Sequence, residues 1–147
     1  MPAKDYSSTR YSGLDQINTE NVKNLKVAWT FSTGVDRGQE DAPLIVGTTM
    51  YVVTPYPNIL YALDLTKPGA VKWKYEPKPA AAAQGVACCD LVNRGAAYSN
   101  GKIFYNTLDA QTVAVDAETG KELWKTRLGD INRGETITMA PLVVKDK

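Results

Sequence analysis

Two cysteines stand side by side, at Cys88 and Cys89, and the chain has no others. Adjacent thiols cannot link distant parts of a fold, which is the usual work of a disulfide. Successive Cα atoms lie about 3.8 Å apart across a trans peptide, whereas an ordinary disulfide wants them about 4.4 to 6.8 Å apart. Either these are two buried free thiols, the commoner state of such a dipeptide, or they close a strained, flat-sided ring that another group needs. The pair is a poor metal site, because with no histidine and no further cysteine a tetrahedral shell cannot close. Three other residues are suited to binding. Glu40, Arg94 and Thr138 each stand at the entry to an apolar run, "APLIV", "GAAYS" and "APLVV" respectively. Singly they read as a solvated loop acid, a salt-bridge arginine and a strand threonine. Together an acid, a guanidinium fork and a hydroxyl suit an anionic, planar ligand.

The chain's 147 residues are enough for a domain with a real core. Apolar residues make up 44% and charged residues 22%, a globular composition. With a net charge of +1 and Lys and Arg scattered among Asp and Glu, no nucleic-acid face is expected. No run of 18 apolar residues suggests a membrane span. The polar start "MPAKDYSSTRYSG" lacks the apolar region of a signal peptide. The absence of histidine removes the commonest general base and any Ser–His–Asp triad. Chemistry here must use carboxylates, Cys, Lys, Arg or a bound cofactor.

Repetition shows how the candidate residues are positioned. "LYALDLTKPGAVKWKY" (60–75) and "TVAVDAETGKELWKTR" (112–127) share one pattern: an apolar run ending in Asp, a Gly-containing turn, then a strand with Trp. Asp64 matches Asp116, Gly69 matches Gly120, and Trp73 matches Trp124; Trp29 in "LKVAWTFSTG" looks like the same position one unit earlier. The period is roughly 45 to 53 residues, within the range of propeller blades. "TMYVVT", "NILYALD", "KIFYNT" and "TVAVDA" read as strands, with "SNGK" and "ETGK" as turns between them. Thr19 is expected to cap a helix over "ENVKNLK". In "KPAAAAQG" the flanking Pro77, Pro79 and Gly85 favour an ordered loop over a helical turn. An all-β propeller is favoured over a β-sandwich. Its length allows about two blades and the first strand of a third, so the chain is expected to be a fragment. Asp64 and Asp116 are then turn residues, and the three tryptophans dock one blade on the next. Glu40, Arg94 and Thr138 occupy nearly one place in three successive repeats, so they should converge at one end of the axis.

"QEDAPLIV", "YVVTPYPNILYALDL", "ACCDLVNRG", "AETGKELW" and "GETITMAP" together resemble the large subunit of the pyrroloquinoline-quinone (PQQ) dependent methanol dehydrogenases, over Tyr6 to Lys147. "YSSTRYSGLDQIN" and "GETITMAP" look most like the lanthanide-dependent branch. The resemblance implies the amino-terminal blades of an eight-bladed β-propeller, with residues 1–147 a partial domain incomplete at both ends. It implies that Cys88 and Cys89 form a disulfide ring covering one face of PQQ. It also implies that Glu40 lies at the cofactor's carboxylate region, that Arg94 binds a PQQ carboxylate, and that Thr138 bonds PQQ.

The same resemblance implies oxidation of methanol or another primary alcohol to an aldehyde, by hydride transfer to PQQ activated by a lanthanide or calcium ion. A cytochrome c acceptor, a homodimer and a periplasmic location go with it, the last in keeping with a disulfide. The family's metal ligands, catalytic Asp and second-face Trp all correspond to positions beyond Lys147, so no catalytic or metal-binding residue is assigned here and the chain alone is expected to be inactive. Two other readings stand beside this one. A non-catalytic propeller scaffold, such as an outer-membrane assembly factor, would use the Trp repeats but not "CCDLVNRG". A quinoprotein alcohol dehydrogenase of broader substrate range would share the cysteine pair.

Overall fold

The computed structural model describes residues 5–88, 90–145 and 147. Eight strands form two four-stranded antiparallel sheets. The first contains β1 (Leu44–Val46), β2 (Thr49–Val53), β3 (Leu60–Asp64) and β4 (Ala70–Tyr75). The second contains β5 (Ala96–Ser99), β6 (Lys102–Thr107), β7 (Gln111–Asp116) and β8 (Glu122–Arg127). In each sheet the strands lie side by side in chain order, and none crosses to the other sheet as a Greek-key sandwich requires. The meander is the form of a propeller blade.

The local chemistry accounts for these elements. Apolar and β-branched residues alternate along β2, whose burial runs buried, half-buried, buried, half-buried, buried. Asn100 and Gly101, at φ +46° and +75°, form the two-residue turn between β5 and β6. Both central residues of that turn need positive φ to match strand twist. Asp116 closes the β7–β8 turn, accepting the backbone N–H groups of Glu118 (3.1 Å) and Thr119 (2.8 Å) and the Thr119 hydroxyl (2.7 Å). Asp64 does the same for the first sheet with the Thr66 N–H (2.9 Å) and hydroxyl (2.6 Å). These bonds hold both carboxyls below their ordinary pKa. Both are turn residues, as their recurrence predicted. The repeat extends to an irregularity: the ladder shifts register between Ala62 and Leu63 in one sheet and between Ala114 and Val115 in the other. The outer strands carry Lys72, Lys74, Lys125 and Arg127, and charges of this kind discourage edge pairing.

The core lies between the sheets. Tyr51, Val53, Leu60 and Ala62 of the first pack against Ala96, Ile103, Tyr105, Val113 and Val115 of the second. Trp73 is the dowel: its Nε1–H donates to the Ala117 carbonyl (3.2 Å), which also accepts the Tyr51 hydroxyl (2.8 Å). Its ring lies over Gly120, where an added Cβ would come within 2.6 Å of it. Fully buried Asn58 makes a second joint, its carbonyl accepting the Tyr105 hydroxyl (3.1 Å) and its Oδ1 the Leu108 N–H (2.8 Å). Tyr75 adds a third by donating its hydroxyl to Glu122.

Four expectations need correction. The helix over "ENVKNLK" is only a 3-10 turn, Val22–Asn24, with Asn21 at its cap position. Asn18, not Thr19, organises it, its Oδ1 accepting the N–H groups of Glu20 (3.0 Å) and Asn21 (3.2 Å). Seven residues with no buried face cannot repay the cost of nucleating an α-helix. The Trp29 stretch forms no strand, and Gly69 has nothing within 4 Å, so Trp29 does not repeat the Trp73 contact. "APLVV" at 140–144 likewise forms no strand, for no described strand lies beside it to complete a ladder. In "KPAAAAQG", Ala81–Gly85 is a 3-10 turn rather than plain loop. No helix among the described residues is long and apolar enough to cross a membrane.

Candidate functional site

The inner strands β1 and β5 lie beside one another, and the residues leading into them meet. The Arg94 guanidinium places one nitrogen 2.9 Å from Glu40 Oε2 and donates from the other to Thr138 Oγ1 at 2.7 Å. The Arg94 backbone N–H donates to the Thr138 carbonyl at 3.0 Å. Three residues far apart in sequence thus form one network beside the entries to β1 and β5. Both Glu40 and Arg94 side chains are about half exposed, at 48% and 47%, so the network is open on one side. The fork has five N–H donors, and the two contacts to Glu40 and Thr138 set its plane.

Gly95 makes the approach possible. It sits at φ +113°, and an added Cβ would lie 2.7 Å from Asp41 Oδ1 and 3.1 Å from the Ala42 carbonyl oxygen. Asn93, almost fully buried, fixes the turn: its Oδ1 accepts the Gly95 N–H (3.0 Å) and its Nδ2 donates to the Asn106 carbonyl (2.8 Å). Asn106 in turn donates to the Met139 carbonyl at 2.9 Å, which steadies the stretch bearing Thr138. Next to Glu40, Asp41 accepts the Val53 N–H on Oδ2 (3.1 Å), while its Oδ1 is buried without a hydrogen-bond partner. Burial raises its carboxyl from 3.8 to about 7, with the Val53 N–H opposing the shift. Sequence reading missed Asp41, Asn93 and Gly95. Their letters sit inside "EDAP" and "VNRG", but only the packing reveals their partners.

Cys88 lies in the segment between β4 and β5, exposed and disulfide-bonded. Cys89 lies outside the described residues. The end of this segment abuts the stretch leading to Glu40: Asp90 Oδ2 would be 2.8 Å, and Val92 Cγ1 3.6 Å, from a Cβ added at Gly38. A guanidinium, a hydroxyl and a carboxylate therefore meet near the end of the segment that carries Cys88. This donor set fits a flat ligand carrying carboxylates. Among the described residues no three His, Cys, Asp or Glu side chains cluster closely enough to hold a metal ion. A groove of about 450 Å³ lies elsewhere, on the second sheet's open face by Phe104, Trp124 and Leu142.

Residues 1–135 match the family model described as PQQ glucose/ethanol/alcohol dehydrogenase, β-propeller domain. A lanthanide-dependent methanol dehydrogenase from Methylacidiphilum fumariolicum (strain SolV) is 64% identical over 100% of this chain and 24% of its own length. Methanol dehydrogenase (cytochrome c) subunit 1 from Methylobacterium organophilum is 53% identical over 100% of the chain and 24% of its own length. The chain therefore spans about a quarter of these relatives. Among solved structures, a europium-containing methanol dehydrogenase superposes with a TM-score of 0.95 at 63% identity, covering 99% of this chain and 26% of the other.

Proposed function

The chain belongs to the PQQ-binding β-propeller family of glucose, ethanol and alcohol dehydrogenases, and from that premise we propose that it is the quinone-holding part of a methanol dehydrogenase. The observation that carries this reading is the Arg94 fork, held between Glu40 and Thr138 beside the Cys88 segment. Arg94 binds a carboxylate of the quinone, and Thr138 bonds it from the stretch beside it. Glu40 aims the fork and offsets its charge, so that the site is not a bare cation when empty. Cys89 is the one other cysteine, and the Cys88–Cys89 ring is proposed to cover one face of the cofactor. When bound, PQQ supplies the two-electron oxidation of a primary alcohol, with a lanthanide or calcium ion as Lewis acid. The metal ligands and the catalytic base are proposed to come from outside residues 1–147, so this chain alone binds without turning over.

The lanthanide is the preferred metal, from the names of the 64% identical relative and of the europium-containing structure. A cytochrome c acceptor follows from the name of the Methylobacterium relative. A periplasmic location and a homodimer complete the proposal. A non-catalytic scaffold is disfavoured, because it has no use for an exposed guanidinium network beside a disulfide.

The test is a titration of the intact protein with PQQ, wild type against Arg94→Lys. Lysine keeps the charge but loses the planar fork. We expect affinity to fall about tenfold or more, since hydrogen bonds to charged groups contribute roughly 1.5–3 kcal/mol. The denaturation midpoint should stay unchanged. Equal affinity in the two proteins would remove Arg94 from the site.

A further inference from the structure

The segment from Glu76 to Gly95, which carries Cys88, is tied at both ends. Toward Arg94, Tyr56 N–H donates to the Leu91 carbonyl (2.8 Å) and Asn93 reaches Asn106. Toward β4, Lys125 Nζ donates to the Pro77 carbonyl (3.2 Å), and the Ala80 N–H donates to Asp109 Oδ2 (3.0 Å). Between these ties Ala83 is fully buried while Gln84, Gly85 and Cys88 are exposed.

Asp109 lies in the tight β6–β7 connection and is only 4% exposed. Its Oδ1 accepts the Thr107 hydroxyl (2.6 Å), and its Oδ2 accepts Gln111 Nε2 (2.7 Å) as well as the distant Ala80 N–H. Thr107 and Gln111 belong to the same turn and would satisfy an ordinary turn acid. The Ala80 bond goes further, from the second sheet to the segment ahead of it. The equivalent connection in the first sheet, 54–59, contains no acid. Asp109 is thus no part of the blade repeat, unlike Asp64 and Asp116. A buried carboxylate is costly without donors, and one of Asp109's, the Ala80 N–H, comes from outside its own turn.

We propose that Asp109 is a positioning residue, whose carboxylate anchors the Ala80 end of the loop and so holds the Cys88 disulfide at the mouth bordered by Glu40, Arg94 and Thr138. The inference rests on the quinone-site reading for its meaning, but the anchor can be tested without it. Three variants of the intact protein separate the roles. Asp109→Ala removes the acceptor. Asp109→Asn keeps one oxygen for Ala80 and Gln111 while its amide donates to Thr107. Ala80→Pro removes only the donor, and Ala80 already has proline-like backbone angles, φ −60° and ψ 125°. This last variant leaves the buried acid in place should Asp109→Ala fail to fold.

The readouts are hydrogen exchange over residues 78–88 and the rate at which dithiothreitol opens the Cys88 disulfide. Both should rise roughly tenfold or more in Asp109→Ala and Ala80→Pro. Both should stay near wild type in Asp109→Asn, and exchange in β5–β7 should not change in Ala80→Pro. If Ala80→Pro leaves both rates within about twofold of wild type, or speeds exchange throughout the second sheet, the anchor is overturned. A PQQ titration keeps the two ideas apart. Failure of the wild type to bind PQQ defeats the site reading and leaves the anchor standing. Unchanged loop rates in a protein that does bind PQQ defeat the anchor alone.

Discussion

Replacing Gly95 by alanine tests whether close approach of the two inner strands builds the site. At φ +113° the position lies outside the left-handed region that a side chain tolerates, and such strain costs of order 1–3 kcal/mol. The new methyl would meet Asp41 Oδ1 at 2.7 Å and the Ala42 carbonyl at 3.1 Å. Overpacking of this kind adds about 1–3 kcal/mol. The expected total is therefore about 2–6 kcal/mol. Part of it belongs to one contact and can be isolated. In an Asp41→Ala background the 2.7 Å contact is gone, so Gly95→Ala should cost at least ~1 kcal/mol less there. Urea denaturation of the wild type, the two single variants and the double variant measures both quantities. Arg94 adjoins Gly95, so PQQ affinity should fall in Gly95→Ala even at temperatures where the protein stays folded. A Gly95→Ala protein within about 0.5 kcal/mol of wild type, or additive effects in the cycle, would refute the reasoning.

Asp41 makes stability depend on pH. Its folded pKa of about 7 lies above the ordinary 3.8, so the folded state holds its proton more tightly than the unfolded chain. The contribution is at its best below about pH 4 and is lost as pH rises toward 7, by up to roughly 4 kcal/mol. Asp41→Asn should gain on wild type across that window in denaturation midpoints taken at successive pH values. A constant difference between the two proteins would show that the carboxyl does not titrate there. Trp73→Phe removes the N–H bond to Ala117 and replaces the indole over Gly120 with a smaller ring. It should lower stability by about 1–3 kcal/mol in thermal or urea melts, through lost packing and one unmade hydrogen bond. A change below 0.5 kcal/mol, the ordinary range of surface substitutions, would argue against Trp73 as the joint between the sheets.

Much of the architecture was legible because its signals are local. Turn acids, paired Asn–Gly residues and alternating β-branched runs act within a few residues of themselves, so Asp64, Asp116 and the β5–β6 turn could be read directly. The same repetition placed Glu40, Arg94 and Thr138 at matching entries, and the structure brings the three side chains together. Local signals failed where a neighbouring strand was needed. The Trp29 stretch and "APLVV" carry strand-like residues, yet neither forms a strand among the described residues. Thr19 failed for a related reason: a capping residue cannot make a helix of seven residues that buries nothing.

By itself the sequence determined the repeat, the blade-type turns, the family likeness and the residue types at the mouth. Each depends on the order of side chains along a single stretch. Tertiary structure alone decided which polar groups are buried and what satisfies them. Asp41 has one oxygen on Val53 and one without a partner. Asp109 takes donors from its own turn and from Ala80, and Gly95 is needed both for its φ of +113° and because Asp41 and Ala42 crowd it. The desolvation of these carboxylates and their long-range donors, Val53 and Ala80, come from chain segments that meet only when the chain packs. No pattern within "EDAP", "TLDA" or "VNRG" could have specified them.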